Sequence, residues 1–195
     1  MRALMKGLCV CAAATLIAGL AIALASAKEP ADRNVISAVI RPASLSVAED
    51  GDYAQLIQEI GAWLAAEFDL PTMSQPPVIR FASSKRMASL RFRDITASHA
   101  PDEEPEIVAV YDGEARTIYL PQGWTGRDAA EMSILVHELV HHMQKLAGQK
   151  FACPEMLEQL AYEAQERWLV QNGRDLMTDF GIDPFTLLVR TNCLY

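Results

Sequence analysis

The sequence predicts a single α+β domain in which a small, mostly antiparallel sheet packs on two long helices. Three observations predict this fold class. Two β-rich runs flank the Asp112-Gly113 turn signal, residues 129–146 are rich in apolar side chains and free of Gly and Pro, and a second helical pattern covers residues 154–169. The length of 195 residues fits one hydrophobic core.

The amino terminus has the features of an export signal. Residues 1–27 begin with a short basic stretch, continue with an apolar run from residue 7 to 24, and end on Ala-Ser-Ala. We therefore expect cleavage after this segment and a bacterial protein that is periplasmic or secreted; an uncleaved anchor is the alternative. Residues 28–52 have little periodicity and are predicted to form a flexible lead-in to a domain at residues 53–195.

Local patterns predict the remaining elements. Helix 54–68 has apolar side chains at helical spacing and ends before a proline, and the pair Asn172-Gly173 is a stop signal for the last long helix. In chain order the predicted elements are the helix at 54–68, a strand at 77–81, a short Ser-capped helix at 84–93, the hairpin at 107–121, the two long helices, and short helices at 175–180 and 184–189.

The first long helix contains a His-Glu-x-x-His motif at His137, Glu138 and His141. Histidines four residues apart lie on one face of a helix and can hold one zinc ion, while the glutamate between them is free to handle a proton. Buried polar groups without partners cost several kcal/mol, which favours this zincin arrangement over an ordinary helix with surface histidines. We expect one zinc ion per chain.

Catalytic zinc sites usually take three protein ligands, so a third ligand must lie elsewhere. The second long helix offers Glu158, which lies beside its apolar stripe, and two competitors, Glu155 and Glu163. Cys153 at the start of this helix is a further rival, although thiolates are more typical of closed structural sites.

These residues resemble the gluzincin metallopeptidases, in which the first motif is completed by the first glutamate of a Glu-x-x-Ala motif on the next helix. That motif reads Glu158-Gln159-Leu160-Ala161 here. The resemblance extends from residue 107 to 169, and within this range the sequence is most similar to the small secreted minigluzincin type. It implies a zincin-like fold with Glu158 as the third ligand. Tyr162 departs from the family pattern, which often has an aspartate there to orient a ligand histidine.

The predicted function is hydrolysis of peptide bonds by a zinc-bound water, with Glu138 as the general base. Tyr162 and His142 are the candidates for a role beside the ligands or at the oxyanion. His142 follows the second ligand histidine and points about 100° away from it around the helix, so a bystander role is the alternative. His99 is predicted to be exposed.

The predicted partner is a peptide or protein substrate. The strand from Arg116 to Leu120 is the candidate sheet edge that pairs with an extended substrate; the alternative is that it only completes the sheet. The net charge of −8 argues against nucleic acid and anionic lipid as partners. We expect no stable association with a membrane once the signal is cleaved.

Cysteine usage predicts one disulfide. The chain has four cysteines, of which two lie within the signal segment, and export leaves Cys153 and Cys193 to pair. Three other function classes stay open: a catalytically silent zincin-fold binding or assembly protein of the cell envelope, a zinc amidase acting on cell-wall peptides, and a structural protein without metal.

Overall fold

A computed structural model describes residues 53–92 and 107–193, and these residues form an α+β fold, as predicted. The predicted signal peptide at 1–27, the predicted lead-in at 28–52 and His99 lie outside the described residues. Within the described part, no helix combines the length and apolar character needed to cross a membrane. In chain order the elements are α1 (Ala54–Phe68), β1 (Val78–Ala82), α2 (Ser84–Arg91), β2 (Val110–Asp112), β3 (Thr117–Pro121), α3 (Ala129–Leu146), α4 (Pro154–Gln171), α5 (Leu176–Phe180) and α6 (Pro184–Thr191).

The sheet joins three strands in the order β1-β3-β2. The antiparallel pairing of β2 and β3, with Asp112 opposite Thr117, confirms the predicted hairpin. In its turn, the Asp112 carboxylate accepts hydrogen bonds from the backbone amides of Glu114 and Ala115. β1 pairs with β3 in parallel, so the prediction of a mostly antiparallel sheet is wrong and the sheet is mixed. A parallel pairing needs a long crossover, which α2 and the residues after it supply.

β3 lies in the centre of the sheet and has hydrogen-bonded neighbours on both sides. The prediction that the strand from Arg116 to Leu120 is an edge is therefore wrong. The reason is that β1, which comes from far upstream in the sequence, occupies the side of β3 that the hairpin alone would leave open. Among the described strands, the edge on the hairpin side is β2.

The core lies between α1, the sheet, α3 and α4. Trp63 of α1 packs edge-on against Trp168 of α4, with ring centroids 5.5 Å apart. Burial of large aromatic side chains contributes strongly to stability, and this pair fixes α4 against α1. The side of α1 predicted to be buried is confirmed, since it consists of Leu56, Ile57, Ile60, Trp63 and Leu64.

The two long helices begin and end where the sequence signals predict. The carboxylate of Asp128 caps α3 by accepting hydrogen bonds from Ala130 and Glu131 at 2.8 and 2.9 Å. α4 begins at Pro154, a favoured first residue, and ends at Gln171 immediately before the predicted stop. α3 and α4 pack along each other, which brings the two sequence motifs together.

The two predicted short terminal helices are confirmed as α5 and α6. Both pack against α4. The chain after α6 returns to the start of α4. There Cys153 and Cys193 are joined in a disulfide with their Cα atoms 6.0 Å apart. The predicted pairing is thus present, and it ties the end of the described chain to the helix that carries Glu158.

Candidate metal centre

Three side chains from α3 and α4 converge at one point. His137 and His141 lie one turn apart on α3, and Glu158 faces them from α4. Nε2 of His137 lies 3.1 Å from Oε2 of Glu158, the two Nε2 atoms are 3.2 Å apart, and Nε2 of His141 lies 3.3 Å from the same oxygen. The structure therefore brings together the three residues that the sequence predicts as metal ligands.

The triangle formed by these atoms fits a zinc ion. Ligand atoms at about 2.0–2.1 Å from a tetrahedral zinc ion lie about 3.3–3.4 Å from one another. The distances of 3.1, 3.2 and 3.3 Å are within a few tenths of an ångström of this value. The three side chains are 10 to 12% exposed and line a cleft.

The tautomer of His137 follows from a chain of hydrogen bonds that ends on the backbone. The Ser133 hydroxyl donates to the carbonyl of Ala130 at 2.8 Å, which leaves its oxygen to accept from Nε2 of Gln165 at 3.2 Å. Gln165 therefore turns its Oε1 toward Nδ1 of His137, 3.1 Å away, and that nitrogen must carry the proton. The Nε2 lone pair of the neutral ring then points to the ligand cluster.

The tautomer of His141 is fixed in the same way by a shorter chain. Nε2 of Gln144 donates to the carbonyl of Leu157 at 3.1 Å, and a carbonyl can only accept. The Oε1 atom of Gln144 accordingly faces Nδ1 of His141 at 3.2 Å and accepts its proton in a hydrogen bond. Two imidazole lone pairs and one carboxylate oxygen thus meet without a donor among them, and a cation satisfies such a group of acceptors.

The pKa values reflect this concentration of acceptors. Burial alone would raise the pKa of Glu158. When the Nε2 atoms carry protons in place of a metal ion, the hydrogen bonds and charges of His137 and His141 outweigh burial and hold the pKa of Glu158 well below its usual range. Burial alone would lower the pKa of His141, but Glu158, Glu138 and Gln144 together outweigh it, so that the net shift is upward. Opposite shifts of this kind indicate a cluster that attracts positive charge, whether a proton or a metal ion.

Glu138 lies beside the ligands and differs from Glu158 in its partners. It is 7% exposed and lines the cleft, and no described residue donates a hydrogen bond to its carboxylate. Burial raises its pKa, against the lowering influence of His137 and His141. A carboxylate with a raised pKa next to a metal position is suited to accept and release a proton.

The competing ligands lie away from the cluster. Glu163 is exposed on α4. Glu155 lies within 4.8 Å of both Cys153 and Cys193 in a second group of potential ligand atoms, but the two sulfurs are bonded to each other. The prediction that keeps Cys153 open as a zinc ligand is therefore wrong, because a disulfide has no thiolate to offer.

Tyr162 does not replace the aspartate of the family pattern. Its ring packs edge-on against the ring of His137, with centroids 4.7 Å apart, and its hydroxyl accepts a hydrogen bond from Nη1 of Arg190 at 2.9 Å. Burial raises the pKa of Tyr162, with Arg190 opposing the shift. The phenol lies beside the ligands, while Nδ1 of His137 donates its hydrogen bond to Oε1 of Gln165.

His142 does not line the cleft, which excludes it as an oxyanion group. Its Nε2 donates to the carbonyl of Gln75 at 2.6 Å, and its Nδ1 accepts from the hydroxyl of Tyr111 at 3.0 Å. Burial lowers the pKa of His142. The bystander interpretation of this residue agrees with these contacts, which join α3 to β2 and to the chain before β1.

Sequence reasoning missed three residues that hold the ligands. Gln144 and Gln165 fix the two imidazoles, and Nη2 of Arg91 donates to Oε1 of Glu158 at 3.2 Å. Gln165 lies between the buried residues Ala164 and Trp168, so a polar side chain inside an apolar stripe was the available signal. Arg91 gave no signal, because it lies 67 positions from Glu158.

The ligands and Glu138 line an open cleft of about 980 Å³. Its walls come from β2 and the residues just before it, from α3 and α4, and from α6. β2 contributes Val110 and Tyr111, and burial raises the pKa of the Tyr111 phenol. The arrangement can hold a metal ion, present a carboxylate beside it, and admit an extended ligand past the sheet edge.

Comparison with known proteins adds one finding. No curated protein and no solved structure matches the chain. A family model described as a domain of unknown function, DUF6647, matches residues 49–194, which cover all the described elements and the whole candidate metal centre. The chain therefore belongs to the DUF6647 family.

Proposed function

We propose that the protein is an exported zinc-dependent peptidase of the gluzincin type, which hydrolyses peptide bonds. The observation that carries the proposal is the meeting of His137, His141 and Glu158 around a position with zinc-like spacing, with both histidine tautomers fixed toward it. The neighbouring Glu138 and the open cleft supply the other requirements of hydrolysis. Both motifs of the family resemblance contribute residues to this one cluster.

Each residue has a defined part in the reaction. His137, His141 and Glu158 hold the metal, which when bound supplies a Lewis acid for the carbonyl and for water. The Glu138 carboxylate accepts a proton from the attacking water and returns it to the leaving amine nitrogen. Gln165 and Gln144 keep the imidazoles in the orientation that the metal requires, and Arg91 holds the second oxygen of Glu158.

The substrate, in this proposal, runs along β2 and not along β3. β2 is the sheet edge on the cleft side among the described strands, and its Val110 and Tyr111 line the cleft with the metal ligands. An extended peptide adds to such an edge through backbone hydrogen bonds, while pockets select its side chains.

Two observations bear on where the protein works. The disulfide between Cys153 and Cys193 is typical of proteins in oxidising compartments, which supports export to the periplasm or the exterior. The other function classes use the same centre differently: a silent binding protein would need no group in the place of Glu138, and an amidase on cell-wall peptides would use the same residues on another amide.

The test is a comparison of Glu138→Gln with Glu163→Gln, which alters an exposed glutamate on α4. We expect Glu138→Gln to retain zinc and to lose hydrolysis of a protein substrate such as casein by about 10²- to 10⁴-fold, the usual contribution of a general base. The control variant should keep both properties. Undiminished hydrolysis by Glu138→Gln would reject the assignment, and zinc binding without hydrolysis by the wild type would favour the silent binding protein.

A further inference from the structure

Arg190 reaches the cleft from α6 and ends next to the metal ligands. Its Nη1 donates to the hydroxyl of Tyr162 at 2.9 Å, and the Tyr162 ring packs against the His137 ring. Within residues 53–92 and 107–193, no carboxylate forms an ion pair with Arg190. Its charge therefore lies at the cleft with a neutral phenol as its hydrogen-bond partner.

The position of Arg190 suits recognition of a group close to the reacting bond. Only the Tyr162 side chain separates the guanidinium from His137, a gap comparable to the ~10 Å that three extended residues span. A guanidinium has five N–H donors in a planar fork, and the bond to Tyr162 uses one of them. The remaining donors match the two oxygens of a carboxylate.

The charge of the cleft favours an anionic ligand. Three cationic side chains and three carboxylates line it among the described residues: Arg91, Lys145, Arg190, Glu138, Glu155 and Glu158. The charges of these lining groups sum to zero, whereas the whole chain has −8, and a bound dication would give the lining a net charge of two positive. A local positive region in an acidic protein concentrates anions at that place.

The chain around Arg190 also supplies apolar surface to the cleft. Phe180 ends α5, Ile182 lies in the connection to α6, and Val189 precedes Arg190. Val189 is 39% exposed, so an apolar group in the cleft would bury it. The combination suits a ligand in which a carboxylate lies close to an apolar side chain.

We propose that Arg190 is a specificity-determining residue that binds a carboxylate of the substrate within three residues of the bond that is cut. The inference rests on the proposed peptidase function and names its substrate class as peptides with a carboxylate near an apolar residue. The carboxylate is either the C-terminal group or the side chain of Asp or Glu, and both present the same two oxygens to the guanidinium.

Binding to an inactive variant tests this subsite directly. Equilibrium dialysis would use the zinc-loaded full chain with Glu138→Gln and three pools of pentapeptides randomised over uncharged residues. One pool has a free C-terminal carboxylate, one has a C-terminal amide, and one has the amide with a single Glu at each position in turn. The comparison is repeated with Arg190→Gln, with Arg190→Lys, and with Arg167→Gln, which changes an exposed arginine of α4 outside the cleft lining.

We expect one or both carboxylate pools to bind about 10- to 100-fold more tightly than the amide pool, as charge-assisted hydrogen bonds to arginine allow. Arg190→Gln should abolish this preference, Arg190→Lys should keep part of it, and Arg167→Gln should leave it unchanged. Which pool is preferred identifies the source of the carboxylate. Equal binding of all pools, a preference that survives Arg190→Gln, or an equal loss in Arg167→Gln would overturn the inference.

Incubation of the wild type with the same pools separates this inference from the proposed function. Mass spectrometry detects cleavage of the peptides. Selective binding without any cleavage would reject hydrolysis and retain the carboxylate subsite. Cleavage of the acid and amide pools at equal rates, unchanged by Arg190→Gln, would retain hydrolysis and overturn the subsite.

Discussion

The two ligand histidines on α3 are held by buried hydrogen-bond chains, whereas Glu158 and Tyr162 on α4 each receive a single hydrogen bond from an exposed arginine at the mouth of the cleft. Gln165 and Gln144 connect the two histidines to other groups of the helix pair, and both are 5% exposed or less. By contrast, Arg91 and Arg190, which with β2 we call the rim, reach Glu158 and Tyr162 from the surface. On the proposed function, the helix pair would determine the geometry of the metal site and the rim would determine selectivity.

The largest expected effect comes from removing the disulfide, which joins the chain just after α6, the helix of Arg190, to the start of α4. It closes a loop of 40 residues, and the chain-entropy model gives about 4 kcal/mol for a loop of this length. We expect the double variant Cys153→Ser, Cys193→Ser to lose about 2–4 kcal/mol of unfolding free energy, which is typical of a native disulfide. Urea titration followed by circular dichroism measures the loss.

The same variant sharpens the comparison between the two regions. Zinc affinity of the folded protein should change little, because the ligand contacts lie within α3 and α4, while the Arg190-dependent preference for carboxylates should weaken. A loss of zinc affinity as large as that of a ligand variant would show that the helix pair depends on the rim.

A smaller effect is expected from Gln165→Ala. The change leaves Nδ1 of His137 without its acceptor, and loss of such partners typically costs about 10- to 100-fold in metal affinity. Gln159→Ala is the matched control, since Gln159 is an exposed glutamine on the same helix. Competition with a chromophoric zinc chelator measures the zinc affinity of both variants. Equal affinities would show that Gln165 does not support the metal site.

The smallest effect is expected from Arg91→Ala. The ion pair with Glu158 joins a side chain that is 51% exposed to one that is 12% exposed, and partly exposed pairs contribute about 0.2–1 kcal/mol. Zinc affinity should therefore fall by less than about fivefold. Arg86→Ala, on the exposed side of the same helix, serves as the control in the same chelator assay. A loss of zinc affinity above tenfold would contradict this and would show that Arg91 contributes to metal binding as strongly as the buried glutamines.

The sequence predicted well whatever depends on neighbouring residues. His137 and His141 share a face because a helix turns every 3.6 residues, and the hairpin follows from the Asp112-Gly113 turn between two β-rich runs. Glu158 was selected among three glutamates by the family resemblance, and the helix packing agrees with that choice. The end of α4 immediately before Asn172-Gly173 was an equally local signal.

The contacts that the sequence did not predict join distant segments. The parallel pairing of β1 with β3 depends on a crossover whose path no local pattern specifies, so the sheet edge was assigned to the wrong strand. The roles of Gln144 and Gln165 depend on which group accepts a hydrogen bond from each side-chain amide, and those acceptors are the carbonyl of Leu157 and the hydroxyl of Ser133. Tertiary packing determines these partners, and a glutamine by itself does not reveal which way its amide points.

We propose that α3 and α4 hold one zinc ion through His137, His141 and Glu158. Elemental analysis of the purified full chain, dialysed after addition of zinc, measures this most directly when wild type, His137→Ala, Glu158→Ala and Glu163→Ala are compared. We expect one zinc ion per chain in the wild type and in Glu163→Ala, and loss of zinc in His137→Ala and Glu158→Ala. A wild type without zinc, or Glu158→Ala with a full complement, would contradict it.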